Sequence, residues 1–299
     1  MNGDLLSHGL WEASAPAAPD TRALTGSVAV DVAVIGGGFI GSSAALHLAQ
    51  GGASVAVLEA HDIGFGASGR NVGLVNAGMW VMPAELVNQL GPVLGNRLLD
   101  ALGDGPSLVF DLIAQHDIDC EAVRTGTLHC AVGRRGADEV AERCRQWLER
   151  SAPVDVLSAE QTARLTGTRA YSAALLDRRA GTVQPLAYVR GLAGAALRKG
   201  ADFYTQTRVT IAERVADSWR LTAASGAELT AKWVIVATDV YTGANGPWPR
   251  VGTQQIFLPY FNVATAPLRA TWPMASFRIA RALGIPGRCC RPSASTRRG

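Results

Sequence analysis

The run from Val28 to Ile35 leads directly into Gly36-Gly-Gly-Phe-Ile-Gly41, then a small-residue helical stretch, a second apolar run and Glu59. No other part of the 299-residue chain restricts the fold so tightly. The β-branched run predicts a buried strand over 28–35, the small residues a helix over 39–50, and the next apolar run a strand over 54–59. Each glycine has a separate physical task in such a strand–turn–helix unit. Gly36 permits the tight turn, Gly38 lets the backbone approach a pyrophosphate, and Gly41 lets the helix pack closely on the sheet. Free amides and the dipole at the helix N-terminus attract phosphate. Glu59, 23 residues after Gly36, ends the second strand where a carboxylate can accept ribose hydroxyls and repel a 2′-phosphate. The other reading is an ordinary glycine-rich βα turn.

Composition describes a compact chain, with 48% hydrophobic and only 18% charged residues. No run approaches 18 uncharged apolar residues, so no membrane span is expected, and the N-terminus lacks the pattern of a signal peptide. A cytoplasmic location is the resulting expectation. Cys120, Cys130, Cys144, Cys289 and Cys290 show no paired spacing, which points to reduced thiols rather than disulfides or a metal site. The net charge of +3 is uneven: residues 240–299 carry eight arginines and no acid. These arginines form no stripe or recognisable motif, so no nucleic-acid partner is expected.

Further along, residues 1–27 read as an extended arm. Segments 83–116 and 136–150 read as helical, with breaks near 91–92 and 103–106. Gly126–Val132 alternates like a strand, and Gln184-Pro185 opens a helix over 185–199 that Gly200 ends. Alternating runs at 202–211, 217–223 and 228–237 suggest three more strands, the last ending in small residues at Ala237 and Thr238. His47 falls inside a helix and His129 inside a strand; His47 reads as a packed or partly exposed helix residue and His129 as a strand residue, rather than as acid–base groups.

A second glycine-rich element, Gly64-Phe-Gly-Ala-Ser-Gly-Arg-Asn-Val-Gly73, follows Glu59 almost at once. Its small residues let amides face an anion, and Ser68, Arg70 and Asn71 add side-chain donors. A domain that binds only NAD has no special need for it, whereas a cofactor with a large second half does; a flexible surface loop is the plainer alternative. With these two elements, Gly126-Thr-Leu-His129, Gly181-Thr-Val-Gln-Pro-Leu-Ala-Tyr-Val189 and Val234–Thr238 followed by Tyr241-Thr-Gly243, the chain resembles the D-amino-acid oxidase/glycine oxidase family of FAD-dependent oxidoreductases. Within it, the gamma-glutamylputrescine oxidoreductase type is most similar.

The resemblance implies an α/β fold: a Rossmann-like FAD-binding domain with an interleaved α+β substrate domain, incomplete at the C-terminus. It divides the chain into an arm (1–27), an FAD-binding domain (28–80 plus 150–250), a substrate domain (81–149 plus 251–268) and a disordered tail (269–299). It implies FAD as cofactor, with Gly36, Gly38, Phe39, Ile40 and Gly41 along the pyrophosphate and Glu59 on the ribose. Ala67, Ser68, Arg70, Asn71 and Gly73 would meet the pyrophosphate, ribityl chain and flavin edge, Val209 the adenine, and Ala237 and Thr238 the side of the cofactor. Val72 and Asp239 depart from the family's usual Gly and Asn. The implied reaction oxidises an amine or amino acid by hydride transfer to the flavin, with oxygen or another acceptor reoxidising it. Tyr260 and Phe261, on the alternating run 256–265, stand as substrate-side candidates and equally as core aromatics. An NAD-linked dehydrogenase and a non-catalytic remnant that binds FAD or ADP weakly are the alternatives.

After Leu268 the family pattern stops. The tail reads as a frameshifted or truncated end, or else as a divergent disordered one, and on either account the chain is expected to be a poor catalyst.

Overall fold

A computed structural model describes residues 7–243, 246–256, 258 and 283–284. The chain divides into two compact units, the first holding 1–71, 116–120 and 184–261, the second 72–115, 121–183 and 262–299.

The first unit is built on β1 (Ser27–Ile35), the strand that ends in the glycine turn. It lies between β2 (Val55–Leu58) and β11 (Glu228–Val236), parallel to both, so the Val32–Ile35 half is shielded on its edges and buried. A strand in that position needs apolar residues on both faces, which is why no alternation is visible there. β8 (Asp202–Tyr204) adds a parallel strand beside β2. β10 (Ser218–Ala223) and β9 (Val209–Val215) continue beyond β11 in antiparallel fashion, giving the order β8-β2-β1-β11-β10-β9. α2 (Phe39–Gln50) buries Gly41, Ser42, Ala45 and Leu46, and it packs with α6 (Pro185–Arg198). α6 starts as its sequence signals, with Pro185 in the first turn and the Gln184 side chain accepting from Ala187 N–H. The arm is not simply extended: α1 (Leu10–Ser14) buries Trp11, whose indole N–H donates to Asn71 O at 2.9 Å. α7 (Pro249–Gly252) also lies in this unit, so residues 251–256, expected in the substrate domain, belong to the first unit instead.

The run 202–211 does not form one strand. It breaks at 205–208, where Gln206 has a φ of 50° and donates to His61 O, while Thr207 N–H donates to Glu59 O. The chain thus leaves the parallel sheet, bonds to the end of β2 and returns as β9 paired with the neighbouring β10; the break is set by the long-range contacts to 59–61, which alternation cannot reveal.

The second unit holds a sheet in the order β12-β4-β6-β5, from β12 (Leu283–Gly284), β4 (Thr127–Ala131), β6 (Ala173–Asp177) and β5 (Val154–Ser158). β4, β6 and β5 pair antiparallel, and β12 runs parallel to β4. Leu283 and Gly284 therefore pair as a strand within a stretch expected to carry none; the rest of 269–299 lies outside the described residues. Segment 154–177, expected in the FAD-binding domain, falls in the second unit instead, where β6 pairs with β4 and β5 with β6 in antiparallel ladders. α3 (Pro83–Gln115), α4 (Gly133–Leu148) and α5 (Ala159–Thr166) belong here, with β3 (Leu74–Val75) and β7 (Gly181–Thr182) as a two-stranded ladder. α3 breaks only at Gly91, whose φ of 77° lets Pro92 start a new helical stretch; the break expected at 103–106 is absent, and Pro106 stays buried within the helix. α5 carries a Ser158–Gln161 capping box and ends at left-handed Gly167.

His129, on β4, packs edge-on to Trp80 at 5.1 Å, and burial, aided by the Arg143 charge, lowers its pKa to about 4. Between that value and the ordinary 6.5 the unfolded chain binds a proton that the folded one refuses, so stability falls as pH drops through this window. The loss should approach about 3 kcal/mol by pH 4. Urea unfolding across pH 4–7.5 should show a pH slope that His129→Leu reduces; an unchanged slope would refute the assignment.

Candidate functional site

The glycine turn is closed by sterics that only glycine satisfies. Gly36 has a φ of 107°, and a Cβ there would stand 2.7 Å from Ala237 O. A Cβ on Gly41 would stand 1.9 Å from Gly36 O. α2 therefore begins directly against the end of β1, with Gly38 as its N-cap and no side-chain cap from that residue. The amides at this end find partners elsewhere. Gly37 N–H donates to Glu59 Oε2 at 2.6 Å and Phe39 N–H to Ser68 Oγ at 2.9 Å. The second Glu59 oxygen accepts from His61 N–H at 2.8 Å. Glu59 and Ser68, 22 and 29 residues from their partners, thus converge on one helix N-terminus.

The second glycine element folds against the first, with Gly64 N–H donating to Gly37 O at 3.0 Å and a short 3-10 turn over Ala67–Gly69. Arg70 Nε donates to Phe65 O at 2.7 Å, and its guanidinium lies 4.9 Å from the Phe65 ring centre. Asn71 Nδ2 donates to Ala67 O and Ser68 O. Both side chains brace the loop that presents Ser68.

These elements border a cleft of about 550 Å³ in the first unit. Of the residues singled out from sequence, it is lined by Gly36, Gly38, Glu59, Ala67, Ser68, Val209, Ala237 and Thr238. Phe39, Ile40, Gly41, Arg70 and Asn71 lie outside that lining: Phe39 packs on Tyr188 at 5.4 Å, Ile40 is 66% exposed, and Gly41 is buried. Gly73 belongs to the second unit, where its carbonyl accepts from Val183 N–H. Tyr260 and Phe261 lie outside the described residues. His47 is exposed on α2 with Nδ1 bonded to Ser43 O, as expected of a helix surface residue.

Sequence reasoning passed over His61, Arg208 and Trp248 and quoted Phe65 only within the second glycine-rich element; all four line the cleft. It noted Tyr241 only as part of a motif; a Cβ on Gly66 would stand 2.7 Å from its ring. The position of His61, two residues after Glu59, was the one available signal. Arg208 offered none, since the turn at 205–208 is set by long-range pairing. Among the described residues no group of three or more His, Cys, Asp or Glu could hold a metal ion, and no helix is long and apolar enough to cross a membrane.

The model of the DAO family, described as FAD dependent oxidoreductase, matches residues 31–285. The chain belongs to this family. It is 35% identical over 224 residues to gamma-glutamylputrescine oxidoreductase of Escherichia coli strain K12, covering 74% of this chain and 51% of that protein. It is 28% identical over 240 residues to glycine oxidase of Bacillus licheniformis, covering 77% and 58%. The crystal structure of glycine oxidase from Geobacillus kaustophilus superposes with a TM-score of 0.60 at 25% identity, over 75% of this chain and 59% of that one. The chain spans little more than half the length of the curated relatives it matches. For a DAO-family chain, the cleft fits the cofactor that the family description names. A backbone cradle without room for Cβ atoms, amides at a helix N-terminus and a carboxylate at the end of the adjacent strand suit a pyrophosphate followed by a ribose.

Proposed function

We propose that this chain binds FAD in the cleft of its first unit and belongs to an enzyme that oxidises an amine or amino acid. The observation that carries the reading is the convergence of Glu59 and Ser68 on the α2 N-terminus above glycines that admit no side chain. In this reading the pyrophosphate approaches the α2 N-terminus over Gly36 and Gly38, which line the cleft, while Glu59 and Ser68 hold the turn by accepting from the Gly37 and Phe39 amides. Glu59 exchanges one amide for ribose hydroxyls, and Val209, Ala237 and Thr238 complete the lining. Arg70 and Asn71 act indirectly, by fixing the loop that carries Ser68. Gly73 and the substrate-side aromatics Tyr260 and Phe261 stay in the proposal on the family resemblance alone. The unit built on β1 is the FAD-binding domain and the unit built on β4 the substrate domain. Bound FAD would supply the hydride acceptor for the carbon that bears nitrogen. Gamma-glutamylputrescine oxidoreductase and glycine oxidase are named for an amine and an amino acid, and oxygen is one acceptor consistent with that class. The buried thiols of Cys130 and Cys144 agree with a reducing, cytoplasmic setting.

The test is direct. The purified 299-residue chain should take up FAD in preference to NAD, giving a yellow protein that releases FAD on denaturation. Failure to bind FAD after reconstitution would overturn the proposal. Anaerobic bleaching of the bound flavin by candidate amines and amino acids would then identify the substrate class.

A further inference from the structure

Beyond Glu59, the cleft wall is a joint between two short segments, 59–62 and 204–208. Glu59 N–H donates to Tyr204 O at 2.9 Å, Thr207 N–H to Glu59 O at 2.8 Å and Gln206 N–H to His61 O at 3.0 Å. Gln206 Nε2 donates to Asp62 Oδ1 at 3.0 Å. Across this joint Arg208 Nη2 lies 3.1 Å from His61 Nε2. A guanidinium can only donate, so His61 Nε2 is the acceptor in this contact. That ring is in turn stacked on Phe65, with centres 4.0 Å apart and planes 26° from parallel. The Arg208 guanidinium is therefore positioned by a braced aromatic pair, yet among the described residues it has no carboxylate at ion-pair distance. Arg208 is exposed and lines the cleft.

The order of groups along the wall matters. The Gly36–Gly38 turn at the α2 N-terminus comes first, then the Glu59 carboxylate that bonds both Gly37 and His61 N–H, then His61 and Arg208 beside Val209. An adenosine diphosphate moiety presents the same order of phosphate, ribose and base. A second phosphate at Arg208 would stand close to the Glu59 carboxylate and be repelled, whereas a flat, electron-rich ring meets no such penalty. We propose that Arg208, held by His61, is a specificity residue for the purine of the cofactor, its guanidinium plane lying against the adenine ring. The inference rests on the reading that this cleft takes FAD.

Calorimetric titration of the full chain with ADP, FAD and adenosine 2′,5′-diphosphate tests it. Arg208→Ala should weaken ADP and FAD by the same factor, about tenfold, because both carry the same base. Arg208→Lys, which keeps the charge but loses the plane, should recover little of that loss. His61→Ala should weaken both ligands by a smaller factor, about threefold, since it frees the guanidinium without removing it. Wild-type ADP affinity in Arg208→Ala would overturn the proposal, as would full recovery in Arg208→Lys. A loss confined to adenosine 2′,5′-diphosphate would overturn it in favour of a 2′-phosphate contact. If the unsubstituted chain binds neither FAD nor ADP, the FAD reading itself falls. If it binds both and the variants match it, only the role of Arg208 falls.

Discussion

Gly41→Ala should destabilise the chain by about 3 kcal/mol, the upper end for a buried overpacking substitution. Helical propensity alone favours alanine at a helical position by about 0.5–1 kcal/mol. The added methyl, however, would stand 1.9 Å from Gly36 O, a backbone atom that no rotamer change can move. Gly36 in turn lies against Ala237 O, so α2 must retreat from β1 or the turn must open. Either movement also dismantles the amide cradle, and FAD binding should be lost along with stability. Gly105→Ala is the matched control: it lies in α3, a Cβ there meets nothing within 4 Å, and the substitution should stabilise slightly. Urea unfolding of the two variants should move the midpoint in opposite directions. An unchanged midpoint for Gly41→Ala would sink the steric account.

Glu59→Ala should cost the protein about 1.5–3 kcal/mol of FAD affinity, a loss of roughly ten- to a hundredfold. One part is the ribose contact. The other is present before any ligand binds, because Glu59 accepts from both Gly37 and His61 N–H and so ties the glycine turn to the end of β2. Removing the carboxylate leaves both amides without that acceptor. Glu59→Gln separates the two parts, since its amide oxygen can retain one of the backbone bonds while the charge is lost. The glutamine variant should melt close to the unsubstituted chain yet bind FAD more weakly, whereas the alanine variant should be impaired in both. Unchanged FAD affinity in Glu59→Ala, in a chain that binds FAD, would exclude the ribose contact.

The β1–α2–β2 unit was legible because its determinants are local. Within Val28–Glu59, residue type alone places two strands, a tight turn and a close-packed helix, and β1, α2 and β2 form within a residue or so of the expected limits. The start of α6 was legible for the same reason, since Gln184 and Pro185 cap their own helix. The antiparallel nature of β4–β6–β5 was not, because short apolar runs at 154–158 and 173–177 suit either sheet and only pairing partners decide between them.

At the site, the sequence by itself determined the glycine cradle and the acid at the end of β2, because these follow from the steric demands of a strand–turn–helix. Only the tertiary structure decided that Ser68 caps Phe39 N–H, that Arg70 and Asn71 brace their own loop, and that Arg208 meets His61 across 147 residues. The Ser68 and Arg208 contacts join segments distant along the chain. Their formation depends on the closure of the β1 sheet, which brings the end of β2 under the 205–208 turn, and no local pattern of residues encodes that meeting.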